Sequence, residues 1–324
     1  MGATRVDADG GSGRARAAAP VVVGVDGSVG SRVALRFAAK EAELRDTRLV
    51  VLMVQAGEAA YTPPGSAPGE GMSSLADLMT GAATRVAVKA SPHIRLPHVT
   101  PRLRALVAKE LGEQSERPVD LELWEGSTWR VLAERSGSAA MVVIGARGGG
   151  GFPGLRLGSV AQRVLSHSRC PVVVVRRWPI PESAGAAAPV VVGLDPWWDF
   201  SPAGAEMLAF AWEEARLRGV PLRALVAQPD TARSAGSPDE PTRIKELAVL
   251  AGLPLGEVEP VVAAGHAAHA LFEASQEAAL VVVGPGRSTA GGLQPGSVGR
   301  QLVDRAGCPV VVFEGGAQRV KAAA

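Results

Sequence analysis

Seven residues occur twice in this chain with a single change between the copies. Pro20-Val21-Val22-Val23-Gly24-Val25-Asp26 returns as Pro189-Val190-Val191-Val192-Gly193-Leu194-Asp195. Each copy is a nearly unbroken apolar run ending in Gly-x-Asp, the pattern of a strand buried on both faces that surfaces at its carboxyl end. The segment after each copy repeats as well. Ala34, Phe37, Ala38 and Ala42 share one face of a helix, and so do Ala205, Leu208, Ala209 and Trp212. Further strands are expected at 49–54, 119–123, 141–144 and 172–175, and again at 222–227, 258–263, 280–283 and 310–312. A series of βα units repeated once marks a duplication. Alternating strands and helices imply parallel sheets covered on both faces, with right-handed crossovers.

The expected organisation is therefore α/β, with two tandem doubly wound domains at 20–177 and 189–314. A Pro- and Ala-rich linker at 178–188 joins them. Residues 1–19 and 315–324 are expected as tails, the first disordered and without the apolar core of a signal peptide. A Pro/Gly/Ser-rich loop at 56–71 is expected, with a helix after it carrying Leu75, Leu78, Met79 and Val86. Thr100-Pro101 and Ser201-Pro202 read as N-cap and first helical residue of two further helices.

Composition narrows the partners. Thirty-four basic against 32 acidic side chains leave a net charge of +2 without a single-sign block, which argues against nucleic acid and membrane surfaces. Aromatics make up only 4%, so Ala and Val carry the packing. No apolar run reaches the length of a membrane span. Two cysteines give no disulfide framework and fit a reducing cytoplasm.

The chemistry lies between Ile144 and Val160. An apolar strand runs into Gly145-Ala146-Arg147-Gly148, then a glycine-rich segment, then Gly158-Ser159-Val160 at the start of a helix whose stripe is Val160, Val164 and Leu165. A strand, a glycine-rich turn and a helix N-terminus make an anion site, because amides and the positive helix end converge there. Glycine there serves positive φ or close backbone approach. The spacing G-x2-G-x9-G-S resembles the nucleotide-binding signature of the universal stress protein family, and the first and last strands of the half resemble that family's too. The resemblance implies a Rossmann-like domain, similar to the adenine nucleotide alpha hydrolases, with five parallel strands in the order 3-2-1-4-5. It implies ATP or another adenine nucleotide as ligand, with or without Mg. Gly24, Val25 and Asp26 would lie beside adenine and ribose, and Val54 would offer backbone to the base. Gly145 and Gly148 would line ribose and phosphates, and Gly158, Ser159 and Val160 would hold phosphate. In the family the fifth-strand edge is where protomers pair. Here that implies an intramolecular pseudo-dimer of the two halves and leaves a homodimer open.

Plainer readings stand beside these roles. Ser159 serves equally as a helix N-cap, and Asp26 as a strand-end turn residue. Arg147 and Arg156 could neutralise phosphate or simply be solvated. No P-loop, no G-x-G-x-x-G after the first strand and no G-x-S-x-G elbow occurs. His266 and His269 read as helix surface, and no metal site is expected. Cys170 and Cys308, each before Pro and a valine run, read as packing groups. In the second half Arg287 replaces the second glycine, the loop is one residue shorter, and Trp197-Trp198 follow Asp195. That site reads as degenerate. The expected function is an ATP-binding regulatory module of a stress response with no catalytic residues assigned. A slow ATPase and a ligand-free structural protein are the rivals.

Overall fold

The computed structural model describes residues 19–55, 93–112, 119–148, 157–179, 187–196, 199–228, 239–254, 256–284 and 297–313. The first half comprises β1 (Val21–Gly24), α1 (Val29–Leu44), β2 (Leu49–Gln55), β3 (Ile94–Leu96), α2 (Pro101–Leu111), β4 (Val119–Glu125), α3 (Thr128–Arg135), β5 (Met141–Gly145), α4 (Ser159–His167) and β6 (Val172–Val175). The second comprises β7 (Val190–Leu194), α5 (Pro202–Arg218), β8 (Leu222–Gln228), α6 (Glu240–Leu250), β9 (Val258–Ala264), α7 (Ala267–Ala274), β10 (Leu280–Val283), α8 (Ser297–Arg305) and β11 (Val310–Val312).

The parallel strands lie side by side as β4-β2-β1-β5-β6 and as β9-β8-β7-β10-β11, the 3-2-1-4-5 order in each half. The central strands are buried on both faces, so their side chains divide by parity. Val21 and Val23 face a core with Ala34, Leu35, Phe37 and Ala38 of α1 and Leu103 of α2. Val22 faces the other, with Val131 and Leu132 of α3 and Val164 and Leu165 of α4. Residues of α5 and α6 join the first core, and those of α7 and α8 the second. Two apolar layers therefore extend across both halves.

β3 is an addition to the expected pattern. It runs antiparallel to β4 through Leu123–Glu125 on the outer edge of the first half. Ile-Arg-Leu is too short and too exposed to show in the sequence as a strand. The helix expected beyond residue 71 lies outside the described residues. Both predicted caps form: Thr100 Oγ1 accepts from Leu103 N at 3.4 Å, and Ser201 Oγ from Gly204 N at 3.3 Å.

The halves meet at their fifth strands. β6 and β11 pair antiparallel, with Val172 opposite Val312, Val173 opposite Val311 and Val174 opposite Val310. One eleven-stranded sheet results. Beside this seam α1 and α5 bring four charged side chains together. Glu41 of α1 and Arg45, the helix's C-cap, stand one turn apart, as do Glu214 and Arg218 on α5. Arg45 pairs with Glu214 and Arg218 with Glu41 across the halves, while Arg45 Nε lies 3.7 Å from Glu41 and Arg218 also meets Glu214. The glutamates are 1% and 0% exposed, so each depends on arginine for its polar partners. Burial holds both guanidiniums below the usual arginine range.

Breaking a buried charge ring from one side leaves the other charges unmatched, which costs about 3 kcal/mol. Glu41→Ala and Arg218→Ala should each lower stability by about that amount in denaturant melts, and the double variant should lose clearly less than their sum. Strict additivity would show that the cross-half pair contributes nothing.

Candidate functional site

The carboxyl ends of β1 and β5 lie side by side, since Val21–Val23 pair with Met141–Val143 in parallel register. This is the point at which the winding of the first half reverses, where open parallel sheets offer a crevice. Asp26 leaves β1 here, and Gly27 after it takes φ +85°, which permits an immediate turn into α1. The turn holds itself in place. Ser28 N donates to Asp26 Oδ1 at 2.9 Å, and Ser28 Oγ caps α1 by accepting from Ser31 N at 3.2 Å. Ser31 Oγ in turn accepts from Asp26 N at 3.3 Å.

The loop after β5 is pressed against this turn. A side-chain carbon at Gly145 would lie 2.7 Å from the backbone carbon of Gly30, and one at Gly30 would lie 2.6 Å from the carbonyl oxygen of Arg147. The first turn of α1 thus rests directly on the end of β5, backbone to backbone. Gly148 sits beside the acid: a carbon added there would approach Asp26 Oδ2 to 2.6 Å. None of Gly145, Gly148 and Gly158 takes positive φ. Glycine's conformational freedom is therefore not what these positions use. Gly145 and Gly148 use its lack of bulk, whereas a carbon on Gly158 would meet nothing closer than 3.7 Å.

The second helix start is Gly158, the N-cap of α4, whose amide donates to Ala146 O at 3.0 Å and so folds the loop back onto β5. Ser159 is the first helical residue and is exposed; the reading of it as N-cap is corrected. The cap falls to Gly158 because its extended backbone, not a side-chain oxygen, turns the chain into the helix. Val160 is half-buried against the core beneath. Gly24 faces Leu132, Val25 is buried with its amide on Leu52 O, and Val54 lies partly exposed near the end of β2. Arg147 is exposed on the loop. Asp26, Gly145, Arg147, Gly148 and Gly158 thus converge with the starts of α1 and α4. Val54 stands at the side, and Arg156 lies outside the described residues.

Three participants were not singled out in the sequence. Ser28 and Ser31 build the turn, and a Ser-x-x-Ser spacing after Asp-Gly was the available signal. Arg102 places Nη2 3.4 Å from where a side chain on Gly27 would begin, so a guanidinium lies over the turn. No local pattern links Arg102, on α2, with Gly27.

The second half is built differently at the same place. The turn after Asp195 is longer, and Asp199 folds back so that its Oδ2 accepts from Asp195 N at 2.7 Å, the role Ser31 plays for Asp26. Gly204 stands at the position of Ser31, where a side chain would collide with the carbonyl of Asp199. The other carboxylate oxygen, Oδ1, faces Gly284 at the end of β10, 3.6 Å from where a side chain there would begin. Burial pushes the Asp199 carboxyl up to about 6, against the opposing bond from Asp195 N. Trp197, Trp198 and Arg287 lie outside the described residues. His266 caps α7, and His269 pairs with Glu273 at 3.2 Å. Among the described residues no cluster suited to a metal ion occurs, and no helix is long and apolar enough to cross a membrane. Cys170 and Cys308 are both buried and unbridged, and burial pushes the Cys308 thiol up to about 12.

The sequence profile of the Universal stress protein family matches residues 19–176 and again 188–314. Universal stress protein Rv1996 of Mycobacterium tuberculosis is 34% identical over 310 residues, covering 90% of this chain and 94% of that protein. A crystal structure of a universal stress protein from Archaeoglobus fulgidus DSM 4304 shares the fold, with a TM-score of 0.59 at 18% identity over 92% of this chain and 99% of that one. A shorter universal stress protein from Archaeoglobus fulgidus, solved in complex with dAMP, is 25% identical and covers 39% of this chain and 98% of its own, with a TM-score of 0.31. With the repeated 3-2-1-4-5 sheets and both halves matched, the chain belongs to the universal stress protein family in its tandem form.

Proposed function

We propose that the chain binds one adenine nucleotide, ATP with or without Mg, at the carboxyl ends of β1 and β5, and acts as a nucleotide-responsive regulatory module in the cytoplasm. The observation that carries this reading is the convergence of two helix starts with the Asp26–Gly148 contact. Amides at the beginnings of α1 and α4 give an anion a place to sit. Asp26 offers an acceptor for ribose hydroxyls or the adenine amine. Gly24, Val25 and Val54 flank the base side, while Gly145, Arg147, Gly148, Gly158, Ser159 and Val160 form the phosphate side. Arg102 adds a positive charge near the turn. The domains are 20–177 and 189–314, paired as a pseudo-dimer within one chain through β6 and β11.

The second half is the silent partner in this proposal. Its strand-end amide is held by a carboxylate instead of a hydroxyl, and that carboxylate faces the end of β10. An anion approaching there meets charge of its own sign.

ATP at a hundredfold excess over its Kd should stabilise the native chain by about 2.7 kcal/mol, read as a rise in unfolding temperature. Gly148→Val should remove most of that rise, because its Cβ would displace the Asp26 carboxylate. An undiminished response in this variant would overturn the assigned loop. Titration calorimetry should give a stoichiometry near one, and a value near two would assign a working site to the second half.

Asp199 supplies a pH signature. Its folded pKa, about 6, stands above the ordinary 3.8. The folded state therefore holds the proton more tightly, and the contribution to stability is present below pH 4 and lost as pH rises to about 6. Asp199→Asn should abolish that fall and raise stability at pH 7 by about 1–2 kcal/mol, with little change at pH 4. Equal denaturant midpoints for the two proteins at pH 7 would contradict this account of the turn.

A further inference from the structure

The duplication lets one half report on the other. The α3–α4 pair of the first half and the α7–α8 pair of the second are equivalent, and three contacts fix the correspondence. Leu132 packs on Gly24 as Leu271 packs on Gly193. Ser136 Oγ donates to Ala133 O and accepts from Arg169 N, at 2.6 and 2.8 Å. Ser275 Oγ does the same with Phe272 O and Gly307 N, at 2.6 and 3.1 Å. Trp129 thereby corresponds to Ala268, Arg163 to Gln301 and His167 to Arg305.

In the first half the groove between the two helices is filled. The indole of Trp129 packs on the His167 ring with centroids 4.8 Å apart, and the guanidiniums of Arg130 and Arg163 lie 5.2 and 5.5 Å from it. In the second half alanine replaces the indole, and a cavity of about 570 Å³ opens between α7 and α8. Its lining includes Ala268, His269, Phe272, Val298, Gln301 and Arg305. Phe272 and Val298 give it an apolar wall. Among the described residues no carboxylate is paired with Arg305, which stands at the rim, whereas His269 is matched by Glu273.

We propose that the α7–α8 groove binds a planar aromatic carboxylate, its ring seated where the other half seats Trp129 and its carboxylate meeting Arg305. The ring would lie beside His269 and Arg305, the equivalents of two of Trp129's neighbours, Arg130 and His167, and would gain Phe272 as an apolar contact of its own. Arg305 supplies the charge complement and a fork of donors suited to a carboxylate. Gln301 adds a neutral donor where the first half has a second arginine. The site lies on the helices over the second core and is separate from the strand ends of the first half.

Indole-3-carboxylate and indole are the probes, titrated into the full chain by calorimetry and by saturation-transfer NMR. The expected result is one site for indole-3-carboxylate whose affinity is unchanged by saturating ATP. Arg305→Gln should weaken indole-3-carboxylate roughly tenfold and leave indole unaffected. Ala268→Trp should fill the groove from within and abolish binding of both. Trp129→Ala should open the matching groove in the first half and raise the indole stoichiometry from one to two. No binding by the unaltered chain, displacement by ATP, or unchanged affinity in both Ala268→Trp and Arg305→Gln would overturn the proposal. The mild Arg305→Gln change keeps the test decisive even if either tryptophan variant fails to fold.

Discussion

Two short valine strands with open backbone edges meet at the middle of this molecule, and their pairing is what the rest depends on. A parallel five-stranded sheet in the 3-2-1-4-5 order ends in its fifth strand, and an apolar edge of that kind invites association. Here β6 and β11 satisfy each other's edges, and the pairing merges two sheets and two apolar layers into one body. Valine pairs alone specify the register weakly, since all the residues are alike. The charged ring of Glu41, Arg45, Glu214 and Arg218 is not degenerate in this way. Its alternating signs match in one arrangement, and a slip would bury charge without a partner.

The same two-unit plan explains how the halves could diverge. The first strand of each half is repeated nearly letter for letter, because a central strand buried on both faces tolerates little but Val, Leu, Ile and Ala. Positions at the strand ends are freer. In the first half Gly30 and Gly145 allow α1 to sit on β5, and Ser31 steadies the amide of Asp26. In the second the longer turn brings Asp199 into that role and requires Gly204 beneath it. A similar exchange separates Trp129 from Ala268, where one half fills a groove from inside and the other leaves it open. Duplication kept the scaffold and released the surface sites from each other.

Much of the scaffold was legible from residue order. Each run of valines bounded by Gly, Pro or Asp became a strand within a residue or two of its expected limits, since burial on both faces leaves an unbroken apolar signature. Thr100-Pro101 and Ser201-Pro202 marked helix starts for a local reason, one oxygen and one fixed φ. β3 escaped because three half-exposed residues carry no periodic signal. The helix start at Ser159 was legible, but the plain reading of Ser159 as its N-cap failed, because the cap at Gly158 is a matter of backbone conformation, which no side chain announces. The glycines of the Gly145 loop were recognised from their spacing, yet the reason for them was contact with Gly30 and Asp26 and not positive φ.

By itself, the sequence determined the α/β class, the duplication, the strands and the place of the glycine-rich turn after β5, all properties written in local pattern and repetition. The tertiary structure alone decided which residues stand together across the chain. It brought Glu41 of one half to Arg218 of the other, set Arg102 over the turn at Gly27, turned Asp199 back on Asp195, and left a space where Ala268 replaces an indole. Each of those depends on distances between segments far apart in sequence. Such distances are fixed only when the helices pack on the sheet and the two sheets become one.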